Sequence, residues 1–131
     1  MNIKKIFKTE SFFIIGIGGS GMSSIAKYLR EAGATVQGYD QRKSQITNQL
    51  LKLGVVVTTD ININIPSENV VLTSSAINSD NELLKKSLSN KLRVINRPDF
   101  LAELTKHYKT IGISGTHGKT TTSSLLSHIY Q

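Results

Sequence analysis

The run Ser11-Phe12-Phe13-Ile14-Ile15-Gly16-Ile17-Gly18-Gly19-Ser20-Gly21-Met22 sets the reading of the whole chain. Phe12, Phe13, Ile14, Ile15 and Ile17 form an apolar stretch almost without polar interruption, which predicts a buried strand over 11–17. It runs straight into a G-x-G-x-x-G loop. Met22, Ile25, Ala26 and Leu29 then recur at i, i+3, i+4 and i+7, one face of a helix that Gly33 closes with a left-handed cap. A second strand, Thr35 to Tyr39, ends at Asp40. Strand, glycine loop, helix and strand make a βαβ unit, and Asp40 follows Gly21 at roughly the 20-residue spacing of the dinucleotide fingerprint. In that reading Gly16 makes the tight turn, Gly18 lets an anion approach the backbone, and Gly21 lets the helix pack on the strand. The N–H groups of Gly19, Ser20 and Gly21 then face a diphosphate. The helix dipole adds about 0.3–1 kcal/mol, enough to place a diphosphate and too little to identify what is attached to it.

The chain beyond Asp40 repeats the alternation. Ser44 to Lys52, with Ile46, Leu50 and Leu53, predicts a short helix stopped by Gly54. Val55 to Thr58 predicts a third strand. Asp60 to Pro66 alternates Ile with polar residues, yet its asparagines and terminal proline favour a loop or weak edge strand. Val70 to Thr73 predicts a fourth strand leading into Ser74-Ser75-Ala76-Ile77-Asn78. Hydroxyls at a strand's carboxyl end suit a sugar or phosphate, and they equally suit a cap for the next helix. That helix spans 81–90 with Leu83, Leu84 and Leu88, and Leu92 to Ile95 is a fifth strand. Asn96-Arg97-Pro98-Asp99 turns the chain into a helix holding Phe100, Leu101 and Leu104, with Pro98 in its first turn. Arg97 stands beside the expected ligand crevice, able to pair with phosphate or carboxylate or to be plain surface. The fold class is therefore α/β, a Rossmann-like parallel sheet with helices on both faces.

A second glycine loop comes late, in Ile111-Gly112-Ile113-Ser114-Gly115-Thr116-His117-Gly118-Lys119-Thr120-Thr121-Thr122. A β-branched run, two glycines, Lys-Thr and a helical pattern form the layout of a phosphate-binding loop. The strict Walker spacing fails, because a glycine is required where Ile113 stands. After Lys106-His107-Tyr108, which reads as a hinge, 109–114 is expected to begin a second sheet. A nucleoside triphosphatase core needs further strands and helices after such a loop. The chain thus reads as a complete domain (1–107) followed by the first strand, phosphate loop and helix of another (108–131), a piece of a longer protein. The apolar face Thr122, Leu125, Leu126 and Ile129 is expected to dock on the first domain, to be poorly ordered, or to drive association.

Composition narrows the chemistry. At 131 residues the chain can bury a core. Cysteine is absent, which excludes disulfides and thiolate metal sites. No apolar run approaches the roughly 18 residues of a membrane span, and the basic start is a poor signal peptide, so a cytoplasmic address is expected. Sixteen Lys+Arg against nine Asp+Glu give a formal charge of +7. The basic residues are scattered without aromatic interleaving, which favours solvated surface or a phosphorylated small substrate over nucleic acid. His107, His117 and His128 lack the spacing of a metal cluster, and no serine sits in a G-x-S-x-G turn.

Taken together, Gly16 to Ser23, Tyr39-Asp40, Ser74-Ser75-Ala76-Ile77 and Gly115 to Thr122 resemble the Mur ligase family, whose phosphate loop is shared with folylpolyglutamate synthases. The resemblance spans nearly the whole chain. The Gly-Gly-Ser-Gly-Met opening and the His117 form of the second loop are similar to the branch that adds the first amino acid in peptidoglycan synthesis. It implies a three-domain ligase whose first domain holds the UDP part of UDP-N-acetylmuramate, whose central domain binds ATP, and whose last domain binds L-alanine. By position, it implies that Gly18, Gly19, Ser20, Gly21, Met22 and Ser23 contact diphosphate or sugar. On the same resemblance Asp40 would lie near the nucleoside, and Ser74, Ser75 and Arg97 would line the same crevice. Gly115, Thr116, His117, Gly118, Lys119, Thr120 and Thr121 would hold ATP, with Lys119 on its β- and γ-phosphates and Thr120 on Mg²⁺. The implied reaction activates the muramoyl carboxylate as an acyl phosphate that the alanine amine attacks. The downstream acidic metal ligand and the alanine pocket have no counterpart here, so catalysis by this chain alone is not expected. Two other readings stay open: a UDP-sugar-binding module without catalysis, and an NAD-dependent oxidoreductase using Gly16–Gly21 and Asp40. Against the last, a dehydrogenase has no use for the late loop.

Overall fold

A computed structural model describes residues 10–131. The basic start, with Lys4 and Lys5, and the signal-peptide reading that rests on it lie outside the described residues. Five strands pair in parallel: β1 (Ser11–Ile15), β2 (Thr35–Tyr39), β3 (Val56–Thr58), β4 (Asn69–Thr73) and β5 (Val94–Asn96), in the order β3-β2-β1-β4-β5. The helices are α1 (Ser20–Glu31), α2 (Gln45–Lys52), α3 (Glu82–Ser89), α4 (Arg97–Thr105) and α5 (Lys119–Ile129). The chain builds β1, β2 and β3 outward in one direction, then crosses to place β4 on the other side of β1. That reversal opens a crevice at the carboxyl ends of β1 and β4, where ligands of open α/β sheets bind.

β1 reads as an unbroken apolar run because both of its faces are covered. Phe12 and Ile14 join a core with Met22, Ile25, Ala26 and Leu29 of α1, Leu50 of α2 and Phe100 of α4. The Phe12 and Phe100 rings meet edge to face at 6.3 Å. Phe13 and Ile15 point the other way, into a core with Tyr39, Val71 and Leu83 of α3. Leu29 is fully buried, so Leu29→Ala would cost roughly 2–5 kcal/mol. Local chemistry starts the helices. Ser44 and Thr47 form a reciprocal capping box on α2. The side chains of Asn81 and Asn96 accept from the Leu84 and Asp99 amides at the starts of α3 and α4.

Several expectations shift in detail. The strand expected over 11–17 ends at Ile15, because Gly16 turns with φ 76°. Ile17 nevertheless stays buried. The Ile-Asn run is a loop whose Ile61, Ile63 and Ile65 pack on the second core, strapped by Lys86 Nζ donating to Asn64 Oδ1 at 2.6 Å. Leu53 and Leu88 are exposed rather than inward-facing. Residues 109–114, expected to open a second sheet, form no strand. A strand requires a hydrogen-bonded neighbour, and among the described residues none lies beside this segment. The face of α5 is largely uncovered among the described residues: Leu125 and Ile129 are 62% and 73% exposed, and Leu126 is half-buried.

Candidate functional site

The first glycine turn is held from several sides. The amides of Gly16 and Ile17 both donate to Tyr39 O, at 2.8 and 3.0 Å, which fixes the turn to the end of β2. Ile77 lies above it: a Cβ on Gly16 would stand 3.0 Å from Ile77 Cδ1. Gly18 donates its amide to Asp40 Oδ2 at 2.8 Å, while Asp40 Oδ1 accepts from the Arg42 amide at 3.2 Å. A Cβ at Gly18 would come within 2.7 Å of Asp40 Oδ2 and 3.2 Å of Thr47 Cγ2. Gly18 is therefore a glycine because Asp40 and Thr47 press on it. The anion that approaches its backbone in this structure is the protein's own carboxylate.

The Gly19 amide, expected to face a ligand, instead donates to Gly16 O at 3.1 Å and closes the turn. The donors that remain are the amides of Ser20, Gly21 and Met22, the first three positions of α1. No intrahelical acceptor exists there, and no side chain caps them. The Met22 side chain is buried, so only its amide is available to a ligand. The Ser23 hydroxyl donates back to Ser20 O at 3.0 Å. Arg97 reaches over this helix end from the start of α4. A Cβ at Gly21 would lie 2.7 Å from Arg97 Cζ, so Gly21 makes room for the guanidinium rather than for helix–strand packing. No acidic side chain pairs with Arg97 among the described residues. Three outward amides, the positive end of α1 and one guanidinium thus converge on one point, a geometry suited to a phosphate or diphosphate.

The carboxyl end of β4 borders the same place, since Ile77 touches Gly16. Ser74 is half-buried and Ser75 exposed. The capping alternative for this segment fails, because Asn81 caps α3 instead. Thr73 Oγ1, one residue before Ser74, is buried without a hydrogen-bond partner among the described residues.

The second glycine turn, Gly115 to Thr121, is exposed throughout. Gly118 caps α5 with φ 78°, a left-handed conformation that side-chain-bearing residues rarely adopt. A Cβ there would meet nothing within 4 Å. The amides of Lys119, Thr120 and Thr121 open the helix without a side-chain cap. This fits the phosphate half of a nucleotide site. No cluster of acidic or histidine residues able to hold a metal occurs among the described residues.

Gly38 and Thr47 also shape the site, although motif and spacing do not point to them, and so does Ile77, the last residue of the Ser74–Ile77 motif. A Cβ on Gly38 would stand 2.7 Å from Ile14 O and also meet Ile17. For Gly38, a glycine inside a strand pattern is the available signal; for Thr47 only the tertiary fold gives one. A cavity of about 440 Å³ lies elsewhere, between β1, β5 and α4, lined by Phe12, Arg93, Phe100 and His107. At the first glycine turn Gly19 and Ser20 are exposed. No helix among the described residues is long and apolar enough to cross a membrane.

Residues 12–109 match the family described as "Mur ligase family, catalytic domain". The UDP-N-acetylmuramate–L-alanine ligase of a Hydrogenobaculum species is 44% identical over 123 residues, covering 93% of this chain and 27% of that protein. A murein peptide ligase structure from Psychrobacter arcticus superposes with a TM-score of 0.81 at 30% identity, covering 92% of this chain and 26% of that one. The UDP-N-acetylmuramate–alanine ligase of Thermotoga maritima gives 0.80 at 27%, over 92% and 28%. The chain spans about a quarter of the length of the relatives it matches.

Proposed function

Since the chain belongs to the Mur ligase family, we propose that it is the nucleotide-sugar-binding part of a cytoplasmic ligase joining L-alanine to UDP-N-acetylmuramate. Residues 1–107 form the substrate domain and 108–131 the opening of the ATP-binding domain. The observation that carries this reading is the convergence of Arg97 on the uncapped amides of α1. Sequence likeness to relatives named for the alanine reaction, at about 40% identity, favours that branch over murein peptide ligation.

In the proposed complex the diphosphate accepts from the Ser20, Gly21 and Met22 amides and from Arg97. Asp40 holds Gly18 and so shapes the turn beside the nucleoside, and Ser74 and Ser75 offer hydroxyls to the sugar. ATP would supply the phosphoryl group and the free energy that activate the muramoyl carboxylate, and Mg²⁺ would offset charge on its phosphates. Toward them, Lys119 would neutralise charge at the phosphates, Thr120 would offer its hydroxyl to the metal, and Gly115, Thr116, His117, Gly118 and Thr121 would shape the loop. Alanine-dependent ATP hydrolysis is not expected of this chain by itself.

Calorimetric titration with UDP-N-acetylmuramate, UDP and NAD tests the reading. Binding of the first two without NAD is expected. NAD binding without UDP-sugar binding would overturn it in favour of an oxidoreductase.

A further inference from the structure

Helix α1 begins at the first glycine turn and, two turns along, carries Tyr28. Its hydroxyl lies 2.7 Å from the hydroxyl of Tyr108, and the rings meet edge to face at 6.5 Å. Tyr108 is the residue at which the chain leaves α4 for the second glycine turn. Every other hydrogen bond made by 106–131 among the described residues is local, within four positions: Lys106 to Glu103, His107 to Leu104, Tyr108 to Thr105, Thr110 to Tyr108, and the bonds of α5 itself.

We propose that the Tyr28–Tyr108 pair is a latch that fixes the segment carrying Gly115–Thr121 to the helix whose first turn forms the other anion site. One phenol bond and one ring contact then set the orientation of the second turn relative to the first. The pairing suits a reversible latch. Tyr28 is half-buried against the core of the sheet, whereas Tyr108 is 45% exposed, so Tyr108 can leave without opening that core. The proposal concerns the placement of two segments and stands or falls separately from what either turn binds.

The absence of cysteine permits a clean test by spin labelling the chain at Lys52→Cys on α2 and Ser124→Cys on α5, both exposed. Pulsed electron–electron resonance should give one narrow distance distribution in the parent. Tyr28→Phe and Tyr108→Phe, which keep the rings, should each broaden it, raising the open population by about 2–10-fold, the range set by one net hydrogen bond. The double variant should be no broader than the broader single one, since both remove the same bond. Tyr130→Phe, at an exposed position on the end of α5, should change nothing. If Tyr28→Phe impairs folding, Tyr108→Phe carries the test alone. A parent distribution already broad, a Tyr108→Phe distribution equal to the parent's, or equal broadening by Tyr130→Phe would overturn the latch.

Discussion

The two glycine turns have similar local form and opposite surroundings. Each places a helix N-terminus after glycines and leaves the opening amides uncapped by side chains. The first is fixed by the Tyr39 carbonyl, the Asp40 carboxylate, Thr47, Ile77 and Arg97, drawn from five other elements or loops. The second has open space around Gly112 and Gly118, and its bonds are those of its own helix. The first turn is therefore organised before any ligand arrives, and a ligand need not supply the ordering free energy. The second is shaped by helix geometry alone.

The largest effect that would sharpen this contrast is on stability. Gly38→Ala forces a Cβ against Ile14 O and Ile17, beneath the first turn, and should destabilise the chain by about 1–3 kcal/mol in urea unfolding. Gly112→Ala, in open space, should stay within about 0.5 kcal/mol. Equal losses would erase the distinction. Next comes affinity: Arg97→Ala should weaken UDP-N-acetylmuramate about tenfold, or ~1.4 kcal/mol, with the unfolding midpoint unchanged. Lys119→Ala should leave that affinity alone. Smaller still, Asp40→Ala removes the acceptor for two backbone amides and should cost about 1 kcal/mol, with faster exchange at Gly18.

The smallest effect is pH-dependent and concerns Tyr28. Burial first, then the hydrogen bond to Tyr108, holds its phenol above the ordinary tyrosine value. The folded state thus favours the neutral phenol. Its contribution is complete below about pH 10, the ordinary value, and is lost as pH rises through the higher folded value. Subtracting the stability profile of Tyr108→Phe from that of the parent should reveal a small excess that falls above pH 10. A difference flat across that range would deny the coupling.

Much of the fold is legible in the amino-acid sequence alone. The strand–glycine–helix–strand run around Gly16 to Asp40 signals a parallel α/β sheet, because apolar runs and helical periodicity there are strong and local. Spacing alone picks out the four apolar positions of α1, and all are buried. What escapes is tertiary. That Asp40 binds the Gly18 amide, that Arg97 sits over Gly21, and that Asn81 rather than Ser74 or Ser75 caps α3 all depend on where distant loops come to rest. The 109–114 segment has the composition of a strand, yet composition cannot supply a hydrogen-bonded neighbour. Leu53 misleads because it is the C-cap of α2, beyond the packed turns, and Leu88 because it falls on the outer face of α3.

Amide chemical shifts of the ¹⁵N-labelled chain, followed while UDP-N-acetylmuramate is added, bear on the organised first turn with the fewest intervening assumptions. The expected result is saturable movement of the Ser20, Gly21 and Met22 amides and of the Arg97 side-chain signal, with Gly115 to Thr121 unmoved. Movement confined to Gly115–Thr121, or no movement at Ser20–Met22 at saturating concentrations, would contradict it.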